Sequence, residues 1–158
     1  MLSIKNGYFL IFLLVVIDLV SKLIAEHYLE FGQQINLIPI LDFLLVYNSG
    51  IAFSILDFNN KLVSFGLSFI GIIIVAYLNS LYKAQVSLIG RSIFILIIAG
   101  ALGNIIDRLH DGVVTDFLYF YIGDVSFFVF NLADAFISIG AVIFIIMEFK
   151  KYLYNSEP

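Results

Sequence analysis

Four long apolar segments stand out along the 158 residues of the chain. The apolar runs cover roughly residues 8–25, 62–81, 90–108 and 130–149. Crossing a bilayer takes about 20 residues of α-helix, with a working range near 17–25. The second run fits this length directly, and the others fit it when polar residues near their ends are included. The pattern therefore predicts four transmembrane helices with polar residues close to the membrane boundary.

The two longer segments between these helices, roughly residues 26–61 and 109–129, do not resemble solvated linkers. Residues 35–48 read INLIPILDFLLVYN, which is rich in β-formers and predicts a short sheet on the membrane surface. The second segment is rich in aromatic residues, and we expect a loop there with a turn at Gly123-Asp124. The predicted fold is thus an all-α membrane protein, one domain over residues 1–158, with a small β-sheet platform and a second outer loop.

The composition agrees with a membrane protein. Hydrophobic residues make up 62% of the chain and charged residues only 13%, whereas soluble domains have about 45–50% and about 25%. A small domain cannot hide such an excess in its interior, so most of the chain is expected to face lipid. The first apolar run follows Lys5 but ends at Glu26-His27-Tyr28 without a small-x-small cleavage site, and we expect it to be a retained span.

The positions of the charges predict the orientation in the membrane. With four spans, one side carries most of the basic residues and the other carries acidic ones, with Lys61 and Arg108 as its only cations. Because basic residues mark the cytoplasmic side, both termini are expected in the cytoplasm and the longer segments outside. The cytoplasmic residues are Lys5, Lys83, Arg91, Lys150 and Lys151; the outer acidic ones are Glu26, Glu30, Asp42, Asp57, Asp111, Asp116 and Asp124.

Several chemistries lack the residues they need. There is no cysteine, and the two histidines, His27 and His110, have no HExxH or other ligand spacing, so we expect no metal and no cofactor. No GxSxG elbow is present, and Ser21 and Lys22 point about 100° apart on a helix. The run GALGN lacks the lysine and preceding strand of a P-loop. A basic patch with interleaved aromatics is missing, so nucleic-acid binding is not expected.

Ionisable residues inside predicted spans are costly and therefore candidates for function. Asp18 and Lys22 lie four apart on one helix face and can pair, either to fix helix packing or to support an active site. Asn104, Asp107 and Arg108 share a face at the outer end of the third helix. Ala99 and Gly103 form a small-xxx-small pair in the same helix, which indicates close helix packing. These last two are expected to serve packing rather than chemistry.

Two further carboxylates lie near the same boundary. Asp134, three residues after Asn131, is either a charge favoured by the helix N-terminus or a functional group. Asp116 interrupts an apolar run and, alone, suggests a solvated carboxylate on a surface strand. Two carboxylates held close together share one proton, so one can activate water while the other polarises a carbonyl. This combination predicts metal-free peptide hydrolysis without a covalent intermediate.

The motifs of the chain resemble those of the lipoprotein signal peptidases, also called signal peptidase II. In the C-terminal half, residues 104–108 (NIIDR), 112–117 (GVVTDF) and 130–134 (FNLAD) match the family patterns N-x-x-D-R, G-x-V-x-D-F and F-N-x-A-D. In the N-terminal half, Asp18 and Lys22 match D-x-x-x-K, and residues 48–53 (NSGIAF) match N-x-G-x-A-F. One departure is visible, because the family often has proline where this chain has Phe128. The resemblance covers nearly the whole chain.

The resemblance implies roles for individual residues. Asp116 and Asp134 match the two catalytic aspartates of an aspartic endopeptidase. The residues expected to bind or orient substrate are Asn48, Asn104, Arg108 and Asn131; those expected to support the structure are Asp18, Lys22, Gly50, Gly103, Asp107 and Gly112.

The resemblance also implies a substrate and a location. The family removes the signal peptide from diacylglyceryl-modified prolipoproteins, cutting just before the lipidated cysteine, and is inhibited by globomycin-type compounds. We therefore expect a monomer in the bacterial cytoplasmic (inner) membrane, surrounded by lipid, with its active site at the extracytoplasmic face. An apolar groove beside the aspartates is expected to take the acyl chains, with the first outer segment as a platform and the second as a mobile lid.

Two other classes of function remain open on the residues alone. A small transporter or proton pathway would also use intramembrane Asp, Arg and Lys, but broken helices and inverted repeats, which would favour it, are not visible. An assembly or scaffold protein with incidental charges would not explain why polar groups gather at one boundary.

Overall fold

The computed structural model describes residues 3–50 and 61–155, and within them the four predicted helices are present. Each is long and apolar enough to cross a membrane. The four spans of the prediction are confirmed; each helix extends three or more residues past the C-terminal end of its predicted span, and α4 begins two residues later than predicted. Their bounds are Ile4–Tyr28 (α1), Lys61–Ala84 (α2), Leu88–Asp111 (α3) and Leu132–Asn155 (α4).

Helix α3 lies at the centre of the bundle and contacts the other three helices. Half of its most apolar stretch is buried, against about a tenth of α2 and α4. Small residues make this possible, because a Cβ on Gly100 would lie 2.3 Å from the carbonyl oxygen of Ala133. Ala99 is fully buried in the same helix. The predicted close packing at Ala99 and Gly103 is therefore confirmed, and the outer helix faces leave large apolar side chains exposed, as expected against lipid.

The two outer segments form one antiparallel sheet of four strands in the order β1-β2-β3-β4. Strands β1 (Gln34–Ile38) and β2 (Leu41–Asn48) confirm the sheet predicted for the first segment. The loop expected in the second segment is wrong: it forms strands β3 (Val114–Ile122) and β4 (Val125–Phe130). The turn between them lies at Gly123-Asp124, as predicted.

The hairpin forms because its β-branched and aromatic residues find a partner in β2, along which β3 is paired. The composition of the second segment does not predict this pairing, since the partner strand lies about 70 residues earlier in the chain. The platform and the lid, expected as separate structures, are therefore one sheet, and the fold is not purely α-helical.

The sheet is anchored to the bundle by a small apolar cluster. Ala25 of α1, Leu45 of β2 and Phe117 of β3 are buried against one another. Because neighbouring side chains on a strand point to opposite faces, burial of Phe117 in this cluster turns the adjacent Asp116 to the other face. The register places Asp116 opposite Val46, two residues before Asn48 on β2. Strand pairing thus brings Asn48 and Asp116 together.

Candidate active site

Asp116 lies on β3 with 2% of its surface exposed, and both of its carboxylate oxygens accept hydrogen bonds from side-chain amides. Asn48 Nδ2 donates to Asp116 Oδ2 at 3.0 Å. Asn131 Nδ2 donates to Asp116 Oδ1 at 2.6 Å. The solvated surface carboxylate, which was the simplest interpretation of Asp116 alone, is therefore wrong, because this group is buried and held on both oxygens.

Asp134 lies in the first turn of α4, where it forms a capping box with Asn131. The Asn131 backbone N–H donates to Asp134 Oδ2 at 3.3 Å, and the Asp134 N–H donates to Asn131 Oδ1 at 3.0 Å. Asn104 Nδ2 donates to the remaining oxygen, Oδ1, at 2.8 Å. The capping box fixes the start of α4. Phe128, the position at which the chain departs from the sequence pattern it resembles, lies in β4 opposite Phe120.

Asn131 links the two carboxylates directly. It is fully buried, and its side chain contacts Asp116 while its backbone and side chain contact Asp134. Because its oxygen accepts the Asp134 N–H, its NH₂ group is turned toward Asp116. The structure therefore brings Asp116, Asp134, Asn104 and Asn131 together, as the helix ends predicted, and it adds Asn48, which only the resemblance had indicated. Their functional roles stay predictions.

The environment of Asp116 favours its protonated form. The pKa of Asp116 is raised from 3.8 to about 6, because burial and the nearby charge of Asp134 raise it more than the hydrogen bonds from Asn48 and Asn131 and the charge of Lys22 lower it. Desolvation is the largest of these effects. The pair can therefore hold a proton at a higher pH than an exposed aspartate could, as acid–base catalysis near neutrality requires.

A buried ion network lies one layer behind the aspartates. Lys22 Nζ lies 2.9 Å from Asp18 Oδ2 and 3.2 Å from Asp107 Oδ2, and it donates to Asn104 Oδ1 at 2.9 Å. The predicted Asp18–Lys22 pair is thus confirmed, and it includes a third residue from α3. A buried pair of this kind costs desolvation and fixes packing more than it adds net stability.

The two carboxylates of this network also hold backbone groups of other elements. Asp18 Oδ1 accepts the N–H of Ala133 in α4, and Asp107 Oδ2 accepts the N–H of Thr115 in β3, each at 2.8 Å. These two backbone positions immediately precede Asp134 and Asp116. The supporting residues expected from the sequence therefore hold the chain directly next to both aspartates.

Arg108 lies at the outer end of α3 beside Gly50. A Cβ on Gly50 would lie 3.5 Å from Arg108 Nη2, and Gly50 has a φ of 91°, which favours glycine. The Arg108 side chain is subject to the charges of Asp107, Asp116 and Asp134. Its Nε is buried without a hydrogen-bond partner among the described residues. The remainder of the predicted N-x-G-x-A-F box, residues 51–53, lies outside the described residues.

Two further glycines expected to support the structure have clear steric or conformational reasons. A Cβ on Gly103 would lie 2.5 Å from Asp18 Oδ2. Gly112 caps α3 in the left-handed conformation, with φ 82°, and its N–H donates to the Arg108 carbonyl at 2.9 Å. The Gly112 carbonyl in turn accepts a hydrogen bond from Ser64 of α2.

The contact between Glu26 and Thr115 was not predicted from the sequence. Thr115 Oγ1 donates to Glu26 Oε1 at 2.8 Å, which ties α1 to β3 next to Asp116. Asp18, Lys22 and Glu26 are spaced i, i+4 and i+8, so they share one helix face. This periodicity could have indicated Glu26, which was counted only among the outer acidic residues.

Comparisons with known proteins identify relatives over most of the chain. A family model described as Signal peptidase (SPase) II matches residues 10–150. The lipoprotein signal peptidases of Brucella ovis and Brucella melitensis are each 40% identical to this chain over 149 residues, covering 93% of it and 91% of the relative.

Two solved structures are also similar. One is described as a bacterial membrane enzyme structure by the in meso method at 1.9 Å resolution; it has a TM-score of 0.79 and 33% identity, and covers 91% of this chain and 92% of the other. A second, described in the same words at 2.3 Å resolution, has a TM-score of 0.79 and 30% identity over 98% of this chain and 94% of the other.

Proposed function

The chain belongs to the signal peptidase II family, and we propose that it cleaves the signal peptide from diacylglyceryl-modified prolipoproteins with Asp116 and Asp134 as the catalytic pair. The observation that supports this proposal most directly is that Asn131 contacts both carboxylates, one on β3 and one on α4, and so holds them as neighbours. A transporter or scaffold needs no such pair, and family membership favours the peptidase.

The reaction follows from the sharing of one proton by the pair. The ionised aspartate takes a proton from a water molecule, and the resulting hydroxide attacks the carbonyl carbon of the scissile peptide bond. The protonated aspartate donates a hydrogen bond to the carbonyl oxygen and so stabilises its developing charge. The aspartate that took the proton from water then passes it to the leaving nitrogen, and the C–N bond breaks as the oxyanion re-forms the carbonyl double bond. No metal and no covalent intermediate are required.

Asn48, Asn104 and Asn131 would keep the aspartates in position during this cycle, because each donates to a carboxylate oxygen. Arg108 would contact the substrate backbone, since its buried Nε has no partner among the described residues and an unpaired buried donor is costly.

The distribution of charges supports an extracytoplasmic active site. Lys5, Lys83, Arg91, Lys150 and Lys151 lie at the helix ends away from the sheet, which the positive-inside tendency assigns to the cytoplasm. Both termini would then be cytoplasmic, and the aspartates would lie at the outer surface of the inner membrane, where the lipobox of an exported prolipoprotein arrives. The apolar recess lined by Ser21, Ile24, Ala25, Tyr28, Leu29, Phe43 and Phe117 lies on the Phe117 face of β3, opposite the face that carries Asp116, so the acyl-chain groove expected beside the aspartates stays a prediction.

The test is cleavage of a diacylated prolipoprotein by the purified protein in detergent or lipid, with and without globomycin. Asp116→Asn and Asp134→Asn should each lower turnover on the order of 1,000-fold or more, while the exposed hairpin-turn control Asp124→Asn retains it. Both variants must remain folded and inserted, as judged by thermal unfolding in detergent. Substantial turnover in either catalytic variant would reject the pair, and no cleavage by the unmodified protein under any lipid condition would reject the function.

A further inference from the structure

Three asparagines donate to the aspartates, and in each the amide oxygen is held by a separate donor. The Asn48 oxygen accepts the Gly50 N–H at 2.8 Å, and the Asn131 oxygen accepts the Asp134 N–H at 3.0 Å. The Asn104 oxygen instead accepts from Lys22 Nζ at 2.9 Å. Two of the three amides are thus oriented by the backbone, and only Asn104 depends on another side chain.

The orientation of an amide is determined by its hydrogen-bond partners and not by steric fit, because its NH₂ and C=O ends have nearly the same shape. Lysine has three donors and no acceptor, so Lys22 attracts only the oxygen of Asn104. Lys22 itself cannot easily move away, since its side chain is 3% exposed and lies between Asp18 and Asp107. The NH₂ end of Asn104 is therefore left facing Asp134 Oδ1, at 2.8 Å.

Resting on the proposed catalytic role of the aspartate pair, we propose that Lys22 is a positioning residue: it holds the Asn104 amide so that Nδ2, and not Oδ1, faces Asp134. It acts through Asn104 and contacts neither substrate nor reacting atoms. The hydrogen bonds from Lys22 to Asn104 and from Asn104 to Asp134 connect the buried ion network of α1 and α3 to the catalytic pair. The network thus has a function in addition to packing the helices.

Without Lys22 the Asn104 amide can turn over. Its oxygen would then face an oxygen of Asp134, which is tolerable only when a proton lies between them. The pair would then retain both protons to a higher pH. The singly protonated form, which is the active one, would therefore appear only at a higher pH. Other charges around the pair act on the same equilibrium: Asp18 on α1, Asp107 and Arg108 on α3, and Asp116 on β3. Loss of the Lys22 charge also acts through space, so a pH shift in one variant is not sufficient.

A double-mutant cycle separates the two effects. Lys22→Met, Asn104→Ala and the double variant are purified alongside Lys83→Met, an exposed lysine at the far end of α2. For each, kcat and KM for a diacylated prolipoprotein are measured from pH 5 to 9. If Lys22 acts through Asn104, each single variant loses about 10- to 100-fold in kcat with little change in KM, and the double variant loses no more than the worse single one. Losses that multiply in the double variant would overturn the proposal.

A second variant keeps the test informative if Lys22→Met does not fold. Lys22→Gln removes the charge but keeps an N–H donor for the Asn104 oxygen. If Lys22 acts by donating to Asn104, kcat of Lys22→Gln should be higher than kcat of Asn104→Ala, and a kcat equal to or below that of Asn104→Ala would overturn the proposal. The unmodified protein and the Asp116→Asn variant are run in parallel. An inactive unmodified protein would reject the proposed function itself, whereas normal pair-dependent cleavage with additive Lys22 effects would reject only the positioning role.

Discussion

Asn131 donates its side-chain amide to Asp116 across 2.6 Å, and this contact joins β3 to the start of α4. The same residue caps α4 through its oxygen. One buried side chain therefore has two separable tasks, helix capping and orientation of a carboxylate, and substitutions can remove one without the other.

Asn131→Ser is expected to preserve folding better than Asn131→Ala, because serine can still cap α4 but is too short to reach Asp116. Asn131→Ala should lose about 1 kcal/mol more in unfolding free energy than Asn131→Ser. Turnover should fall strongly in both variants. Thermal unfolding and kcat measured on the same preparations test this, and equal stability of the two variants would mean that the capping contact contributes little.

The stability of the protein should depend on pH through Asp116. Its pKa is about 6 in the folded protein, above the ordinary value of 3.8, so the folded state binds the proton more tightly than the unfolded state. This contribution is fully present below pH 3.8 and is lost as the pH rises to about 6. Asp116→Asn cannot titrate and should lack this loss.

The difference between the two proteins is the quantity to measure, since other carboxylates also titrate in this range. From pH 4 to pH 7, the unfolding free energy of the unmodified protein should decline relative to that of Asp116→Asn by on the order of 2–3 kcal/mol. Parallel curves over this range would show that Asp116 is not protonated preferentially in the folded state.

Gly103→Ala should be strongly destabilising, because the added methyl group would lie 2.5 Å from Asp18 Oδ2 in the buried network. Relief of this clash requires α1 or α3 to shift, at a cost of about 1–3 kcal/mol. Gly66→Ala is the matched control, since a Cβ there meets nothing within 4 Å. The control should be neutral or up to about 1 kcal/mol more stable. Thermal midpoints in one detergent compare the two variants, and similar midpoints would contradict the steric argument.

Thr115→Val removes the hydroxyl that donates to Glu26 while keeping the shape of the side chain. Thr115→Val should lose about 1 kcal/mol in unfolding free energy. Turnover should also decrease, because Asp116 is the next residue, but by less than in the Asp116→Asn variant. Thr115→Ser keeps the donor and should recover most of both. If valine and serine behave alike at this position, the hydrogen bond between α1 and β3 is unimportant.

The periodic and local parts of this molecule were predictable from sequence. Apolar runs near 20 residues predicted all four helices, and the i, i+4 spacing predicted the Asp18–Lys22 pair. The second hairpin was not predictable in this way, because β3 is stabilised by pairing with a strand far away in sequence. Composition is similar for an aromatic loop and an aromatic hairpin, and only the partner strand separates them.

The polar site was predictable as a set of residues but not as a set of contacts. Helix spacing placed Asn104 and Asp107 on one face, yet their partners come from α1, β3 and α4. Which amide meets which carboxylate depends on how the helices rotate against one another. That rotation is set by glycine contacts such as Gly103 with Asp18, and single-residue propensities contain no information about it.

The arrangement of the pair has a consequence for the order of biosynthesis. Asp134 and Asn131 belong to the last span, while Asp116 is supplied by the hairpin just before it. A nascent chain that has inserted only three helices holds one aspartate without its neighbour and without the amide that orients it. With the proposed catalytic role of this pair, the protein is expected to stay inert until translation reaches the fourth helix and that helix docks, so that its proteolytic capacity begins only when membrane insertion is complete.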